Sequence, residues 1–317
     1  MLENSEQLSY SGVMMHLLSI NQLNQQTLQH LLDRAQYFLD HFVKQQKQSS
    51  LMSGKVMVNL FFEPSTRTQF SFTIAGHRLG AFVLNPITDR ISTAKGESLL
   101  DTVKSFIAIG SRLIVIRHRE NHTPEWLANE IGNQASIING GDGVNQHPTQ
   151  AILDLLTIRQ YKPSFSKITV AIIGDIAHSR VARSLVQGLN ILDCTNIRVI
   201  APPEFLPSDI EAWPVTTYSD LKTGLADADV IVTLRIQLER ITLPPSVSEP
   251  AKFFEKFRLT TEHLRFADPH AIVMHPAPIN RETEITSEVV DGSQSVIFQQ
   301  ITNGVAVRMA VIEWCSL

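Results

Sequence analysis

The stretch 55-KVMVNLFFEPSTRTQFSF-72 decides how the chain folds. Its first eight residues are almost continuously apolar, the pattern of a strand covered on both faces. Pro64 stops that strand, and Ser65, Thr66, Arg67 and Thr68 then open a helical pattern that reaches Leu79.

The same alternation recurs on either side. RLIVIRH (112–118) precedes a helical pattern at 124–131, and ASIING (135–140) precedes one at 148–161. ITVAIIGD (168–175) leads into a helix over 180–192, and IRVIAPP (197–203) into a loop. ADVIVTLRIQ (228–237) and AIVMHPAP (271–278) complete the series. Apolar strands alternating with helices predict an α/β fold of two domains, each a parallel β-sheet flanked by helices. In such sheets ligands bind outside the carboxyl ends of the strands, so the polar residues after each run are the ones to weigh.

The chain has 317 residues, enough for two domains at roughly 100–200 residues each. The expected division is 1–150, 151–300 and a terminal segment 301–317, with the helix at 148–161 and KPSFSK (162–167) as hinge and turn. The last helical stretch is expected from Gly304, after a turn at Thr302–Gly304, and periodicity alone does not say which domain it covers. Lys+Arg 27 against Asp+Glu 31 leaves a net charge of −4, with no general electrostatic pull toward nucleic acid or an anionic membrane. Cys194 and Cys315 are too far apart in sequence for a ligand-spaced cluster, which argues against a disulfide scaffold or structural zinc. The first twenty residues carry Glu3 and Glu6 and no basic region, unlike a signal peptide, and no apolar stretch reaches the ~20 residues of a membrane span. A soluble cytoplasmic protein is the expectation.

Ser65, Thr66, Arg67 and Thr68 fall at a helix N-terminus, where unpaired N–H groups, hydroxyls and a guanidinium suit a phosphate. The alternative is an ordinary cap beside a solvated arginine. Arg117 and His118 end the LIVI run, one placed to face a cleft and the other to cap the sheet. In GDGVNQHPTQ (141–150), Pro148 suits the first helical position, so His147 lies near the N-cap and Gln150 in the first turn. Lys95 stands in a polar loop before a helix expected from about Glu97. Arg180, Arg235 and Gln237 follow later strands; each reads singly as a surface group, and together they suit a dicarboxylate. HPAPINR (275–281) ends a strand on a rigid turn able to present carbonyls. ITVAIIGD lacks a Gly-x-Gly-x-x-Gly continuation, and there is no His-Glu-x-x-His or Gly-x-Ser-x-Gly, so no cofactor and no metal is expected.

From Lys55 to Arg308 these segments, with HRLGA (77–81), KGES (95–98), IRH (116–118), NQHPTQ (145–150) and TLRIQLER (233–240), resemble the aspartate/ornithine carbamoyltransferase family. FFEPSTRT matches its carbamoyl phosphate signature. The Arg-x-Gln-x-Glu-Arg run and HPAP, where ornithine enzymes carry His-Cys-Leu-Pro, favour the aspartate branch. Gln69 and Thr73 stand where relatives often have Arg and Glu, and Ala277 replaces a frequent Leu.

The resemblance implies transfer of a carbamoyl group from carbamoyl phosphate to L-aspartate, giving N-carbamoyl-L-aspartate and phosphate in pyrimidine biosynthesis. It implies that Ser65, Thr66, Arg67 and Thr68 hold the phosphoryl group, and that Thr68, Arg117 and His147 donate to the carbamoyl oxygen. Gln150 and carbonyls near Ala277 and Pro278 would hold the carbamoyl NH2, and Arg180, Arg235 and Gln237 the aspartate carboxylates. Lys95 would touch both substrates from a neighbouring subunit, which implies a homotrimer with shared active sites. The last helix would return to the first domain. A regulatory chain or a dihydroorotase partner is left open. The rival readings are a carbamoyltransferase for ornithine or another amino acid, a non-catalytic scaffold relative, and a Rossmann dehydrogenase.

Overall fold

The computed structural model describes residues 14–87, 96–237 and 255–316. Every apolar run singled out above forms a strand, and the strands make two all-parallel sheets. The first contains β1 (Val56–Phe61), β2 (Phe82–Leu84), β3 (Ser111–His118) and β4 (Ser136–Asp142), in the order β2-β1-β3-β4. The second contains β5 (Thr169–Ile173), β6 (Asn196–Ile200), β7 (Thr216–Tyr218), β8 (Val230–Thr233) and β9 (Ile272–Met274), in the order β7-β6-β5-β8-β9. The short edge strands β2 and β7 were not among those runs; their residues are exposed or half-buried, whereas β9, also a three-residue edge strand, is fully buried.

In each sheet the order reverses once, between β1 and β3 in the first and between β5 and β8 in the second. At such a reversal the loops leaving adjacent strands part to opposite faces and open a crevice at the strands' carboxyl ends. The loops in question are those after Phe61, His118, Ile173 and Thr233.

Between the described strands run α1 (Gln25–Phe38), which precedes β1, α2 (Thr66–Arg78), α3 (Leu99–Ala108), α4 (Thr123–Ile131), α5 (Pro148–Tyr161) and α6 (Arg180–Ile191). α3 starts two residues after the expected Glu97 because Ser98 caps it, its hydroxyl accepting from the Asp101 N–H. α5 is buried at every position from Pro148 to Ile158, which explains its lack of a polar face. One apolar cluster includes Met57, Val115 and Ile138 of the first sheet and Val170, Val199 and Met274 of the second, together with α5.

The C-terminal helix spans Ile297–Trp314, seven residues earlier than the expected start at Gly304. The presumed turn is helical because both of its turn-forming residues serve packing. Asn303 is buried and donates to Thr157 Oγ1 and Gln160 Oε1, both at 2.9 Å. Gly304 lets the helix approach α5, since a Cβ there would lie 3.3 Å from Leu153 and 2.6 Å from the Arg308 guanidinium. The helix packs on first-domain helices. Arg34 of α1 grips Glu313 through two hydrogen bonds (2.7 and 2.6 Å), and Arg308 donates to Ser71 of α2 (2.9 Å). Among the described residues no helix is long and apolar enough to cross a membrane.

Candidate active site

The two reversals open on one cleft of about 1070 Å³. Its first wall comes from the loop after β1 and the start of α2, its second from the ends of β3 and β4 and the start of α5. The opposite side comes from the loops after β5, β8 and β9. Every residue given a substrate role above, except Lys95, lines it: Ser65, Thr66, Arg67, Thr68, Arg117, His147, Gln150, Arg180, Arg235, Gln237, Ala277 and Pro278. Lys95 lies outside the described residues. Of the pair at the end of β3, Arg117 faces the cleft, whereas the His118 ring packs edge-on to Phe62 and bonds the Thr123 hydroxyl at the foot of α4.

Ser65 is the N-cap of α2, yet its hydroxyl makes no capping hydrogen bond. The first-turn N–H groups and the hydroxyls at 65, 66 and 68 therefore converge where an anion gains most from the helix terminus. Arg67 stands on the same turn, its pKa lowered by partial burial. Behind them Thr73 joins a polar cluster. Its hydroxyl lies 2.9 Å from both Gln69 O and Asn85 Oδ1, and Asn59 donates to that Asn85 oxygen (2.8 Å).

His147 is the N-cap of α5, with Pro148 in the first turn, as the His-Pro pair suggested. The loop before it is set by the buried Asp142 carboxylate, which accepts from Asn139 Nδ2 (2.7 Å), the His122 N–H (2.7 Å) and Asn145 Nδ2 (2.9 Å). The His147 N–H donates to Ser184 of α6 (2.9 Å), tying α5 to the second sheet's side. Burial, and then Arg117, Arg180 and Arg308, hold the His147 pKa well below its ordinary value. The ring is therefore neutral near pH 7 and offers one N–H as a hydrogen-bond donor.

Arg117 and Arg180 are 8% and 5% exposed, which rules out solvated surface charges. Both are braced by Glu63. Its Oε1 accepts from Arg117 Nη2 and from Arg180 Nη2 (2.6 Å), and its Oε2 from Arg180 Nη1 (3.3 Å). Backbone carbonyls complete the brace, Gly140 O taking Arg117 Nη1 (3.2 Å) and Gly143 O taking Arg180 Nη1 (3.0 Å). Gly141 makes the crowding possible, since a Cβ there would stand 3.0 Å from one guanidinium and 3.1 Å from the other. Glu63 thus links a strand end of the first sheet to a helix start of the second. It sits inside the FFEPSTRT segment, and a carboxylate directly before an anion site was the signal available in the sequence.

The second sheet's side has a similar organiser. Asp175, fully buried after β5, accepts the Gln237 N–H (3.2 Å) and bonds His178 Nδ1 (2.8 Å). Gln237 Nε2 in turn donates to His178 O (2.7 Å), so the loops carrying Arg180 and Gln237 are locked together. Neither Asp175 nor His178 was apparent from the strand-end pattern beyond the Gly-Asp pair at 174–175. Arg308 of the C-terminal helix also lines the cleft, over the face of Phe72, its pKa lowered by burial to about 10. Among the described residues there is no cluster of three His, Cys, Asp or Glu groups arranged to hold a metal. What the cleft offers chemically is positive charge and hydrogen-bond donors around a space sized for two small anions, with the turn Pro276-Ala277-Pro278 on one side.

Residues 15–160 match the family model described as aspartate/ornithine carbamoyltransferase, carbamoyl-P binding domain, and residues 166–315 match its Asp/Orn binding domain. The chain is 48% identical over 299 residues to the aspartate carbamoyltransferase catalytic subunit of Coxiella burnetii (strain CbuK_Q154), covering 94% of this chain and 95% of that one. It is 30% identical to a Trypanosoma cruzi aspartate transcarbamoylase solved with carbamoyl phosphate and aspartate, with a TM-score of 0.84 over 95% and 96% of the two chains. The ornithine carbamoyltransferase of Pyrococcus furiosus superimposes equally well, with a TM-score of 0.85 at 26% identity over 96% and 97% of the chains. Backbone shape therefore does not select the acceptor; the sequence likeness to aspartate enzymes does.

Proposed function

This chain belongs to the aspartate/ornithine carbamoyltransferase family, and on that footing we propose how its residues divide the work and how its chains assemble. The reaction is transfer of the carbamoyl group of carbamoyl phosphate to the amine of L-aspartate, giving N-carbamoyl-L-aspartate and phosphate. Its place is in de novo pyrimidine biosynthesis. The observation that carries the reading is the convergence on one cleft of strand-end residues from both sheets, in a chain 48% identical to an aspartate carbamoyltransferase catalytic subunit.

Ser65, Thr66, Arg67 and Thr68 hold the phosphoryl group at the start of α2. Thr68, Arg117 and the neutral His147 donate to the carbamoyl oxygen, whose charge grows as the amine nitrogen attacks the carbonyl carbon. Preorganised donors of this kind typically lower the barrier by about 3–4 kcal/mol each. Gln150 and the carbonyls of Ala277 and Pro278 accept from the carbamoyl NH2. Arg180, Arg235 and Gln237 hold the aspartate carboxylates. The C–O bond to phosphate then breaks, and the departing phosphate takes the amine's proton. No protein nucleophile is needed, because carbamoyl phosphate is already an activated acyl donor; orientation and charge stabilisation carry the catalysis.

The assembly is a homotrimer with shared sites, to which Lys95 comes from a neighbouring subunit. Exposed apolar side chains support self-association. Phe70 and Ile74 on α2 are 58% and 45% exposed, and Phe82 on the adjoining edge strand is 65% exposed. Patches of this kind on a soluble protein commonly mark an interface. Residues 1–150 form the carbamoyl phosphate domain, 151–300 the aspartate domain, and 301–317 the end of the returning helix, in a cytoplasmic protein. Mixing the inactive variants Lys95→Ala and Arg67→Ala restores activity if sites are shared; no recovery after confirmed subunit exchange contradicts sharing. The acceptor assay tests the reaction itself: carbamoyl phosphate is consumed with L-aspartate and not with L-ornithine, and the opposite preference overturns it.

A further inference from the structure

At the cleft floor and behind it lies a set of buried polar groups to which no step of carbamoyl transfer has been assigned. Asp154, one turn after Gln150 on α5, is 0% exposed. Its Oδ1 accepts from Gln150 Nε2 (2.9 Å) and from Gln300 Nε2 (2.7 Å) of the C-terminal helix. Gln300 turns its other amide atom, Oε1, to the N–H of His275 just after β9 (3.0 Å). His275 is also fully buried, and its Nδ1 accepts the Ala277 N–H (2.9 Å). That bond leaves the ring proton on Nε2, which donates to Glu284 Oε1 (3.0 Å). The same carboxylate oxygen accepts the Asn280 N–H (2.7 Å) on the far side of the turn. An unbroken chain of hydrogen bonds therefore runs from Gln150, through Asp154 and Gln300, to the turn that carries the Ala277 and Pro278 carbonyls.

The direction of each bond has a consequence for recognition. A carboxylate oxygen only accepts, so Asp154 fixes the Gln150 amide with Nε2 turned inward and Oε1 left for the cleft. An oxygen there accepts from an NH2 group, as do the carbonyls of Ala277 and Pro278. With the amide reversed, Gln150 would present its own NH2 to the substrate's, and two donors would face each other. Side chains placed this way in a dry interior hold a single geometry because any alternative strands a buried polar group.

We propose that Asp154 and Gln300 are positioning residues that set the Gln150 amide and the Ala277–Pro278 turn as matched acceptors for the carbamoyl NH2. The proposal rests on the assignment of Gln150 and that turn to the carbamoyl NH2 made above. Asp154 lies outside the cleft lining and Gln300 within it; both are proposed to act by holding groups assigned to the carbamoyl NH2. Burial pushes the Asp154 carboxyl up to about 7, opposed by its two amide donors and by Arg308. In the neutral form Oδ1 still serves as acceptor when the proton sits on Oδ2, so the orienting role does not depend on ionisation.

The probe is acetyl phosphate, which keeps the acyl phosphate of carbamoyl phosphate but carries a methyl in place of the NH2. In the intact enzyme assembly, Asp154→Ala is expected to weaken carbamoyl phosphate binding about tenfold while leaving acetyl phosphate within twofold. Asp154→Asn, which keeps an acceptor oxygen, is expected to stay within threefold of the wild type for both. Gln300→Leu, close in volume, is expected to show the same selective loss as Asp154→Ala and carries the test if the alanine variant does not fold. Equal weakening of both acyl phosphates, or of neither, overturns the proposal. Gln150→Ala separates the two levels: if it too fails to discriminate between the probes, the assignment of Gln150 is wrong. If it discriminates while Asp154→Ala and Gln300→Leu do not, only the relay is wrong.

Discussion

The two sides of the cleft are built to hold negative charge by different means. On the first-sheet side the donors are local: backbone N–H groups at the start of α2, the hydroxyls of Ser65, Thr66 and Thr68, and Arg67 on the same turn. On the second-sheet side the donors are long arginine and glutamine side chains held in place by carboxylates. Glu63 braces Arg180 across 117 positions of sequence, and Asp175 ties Gln237 across 62. A helix terminus is preorganised by its own hydrogen bonding. A buried guanidinium needs a partner, because an unpaired charge in a dry site is costly. The side proposed to hold phosphate should therefore be robust to changes elsewhere in the molecule, and the side proposed to hold the carboxylates dependent on them.

The largest expected effect is on the local side. Arg67→Ala removes the only guanidinium on the α2 turn, and loss of one transition-state contact typically costs about 3–4 kcal/mol. A fall in kcat/KM of roughly 10²–10³-fold is expected from steady-state formation of N-carbamoyl-L-aspartate; a near-normal value would refute the phosphate assignment. Glu63→Ala probes the dependence of the other side. With its carboxylate gone, Arg117 and Arg180 lose the anion between them and keep neutral carbonyl partners such as Gly140 O and Gly143 O, and removal of one partner of a buried charge pair costs about 3–5 kcal/mol. Part of that cost is relieved when substrate enters. We expect kcat/KM for aspartate to fall about tenfold to a hundredfold, with a smaller loss in inorganic phosphate binding. If phosphate binding falls equally, the two sides are not independent.

Arg235→Ala should act on the carboxylate half alone, raising KM for aspartate by about tenfold, the size of one charge-assisted contact. Carbamoyl phosphate affinity should be unchanged, and a matched loss of both substrates would indicate a folding defect. A last effect falls on stability rather than on activity, as a pH dependence. The folded-state pKa of Asp154 is raised to about 7, above the ordinary carboxyl value near 4. The native state therefore binds more protons than the unfolded one between those limits, and stability falls as pH rises through that window. Asp154→Asn should remove this slope in thermal melts at pH 5 and pH 8, whereas a slope identical to the wild type would show that the carboxyl does not titrate there.

The contrast between the halves also explains what the sequence could convey. The strand runs were legible because both faces of each central strand are buried, leaving uninterrupted apolar stretches. The phosphate turn was legible because its donors are consecutive residues after a proline. Arg117, His147, Arg180 and Arg235 could be placed at strand ends, but nothing local told which of them were buried. Glu63, Asp175 and Gln300 escaped notice because each acts on a group far away in sequence, a pairing that no periodicity records. Asp154 lies only one turn from Gln150, but its burial inside a helix buried from Pro148 to Ile158 leaves no sign in the sequence. The C-terminal helix shows the converse error. Thr302, Asn303 and Gly304 look like a turn until the buried partners of Asn303 and the close approach at Gly304 are seen.

A ligand that reaches across both halves puts the single-cleft arrangement to the most direct trial. N-(Phosphonacetyl)-L-aspartate joins a phosphonate to the two carboxylates of aspartate, and calorimetry can follow it with the wild type, Arg67→Ala and Arg235→Ala. The account predicts one molecule bound per chain, far more tightly than inorganic phosphate or aspartate alone, with the affinity reduced by either substitution. Binding no tighter than phosphate, or a loss confined to one of the two variants, would mean that the phosphate turn and the arginines of the second sheet do not serve the same pocket.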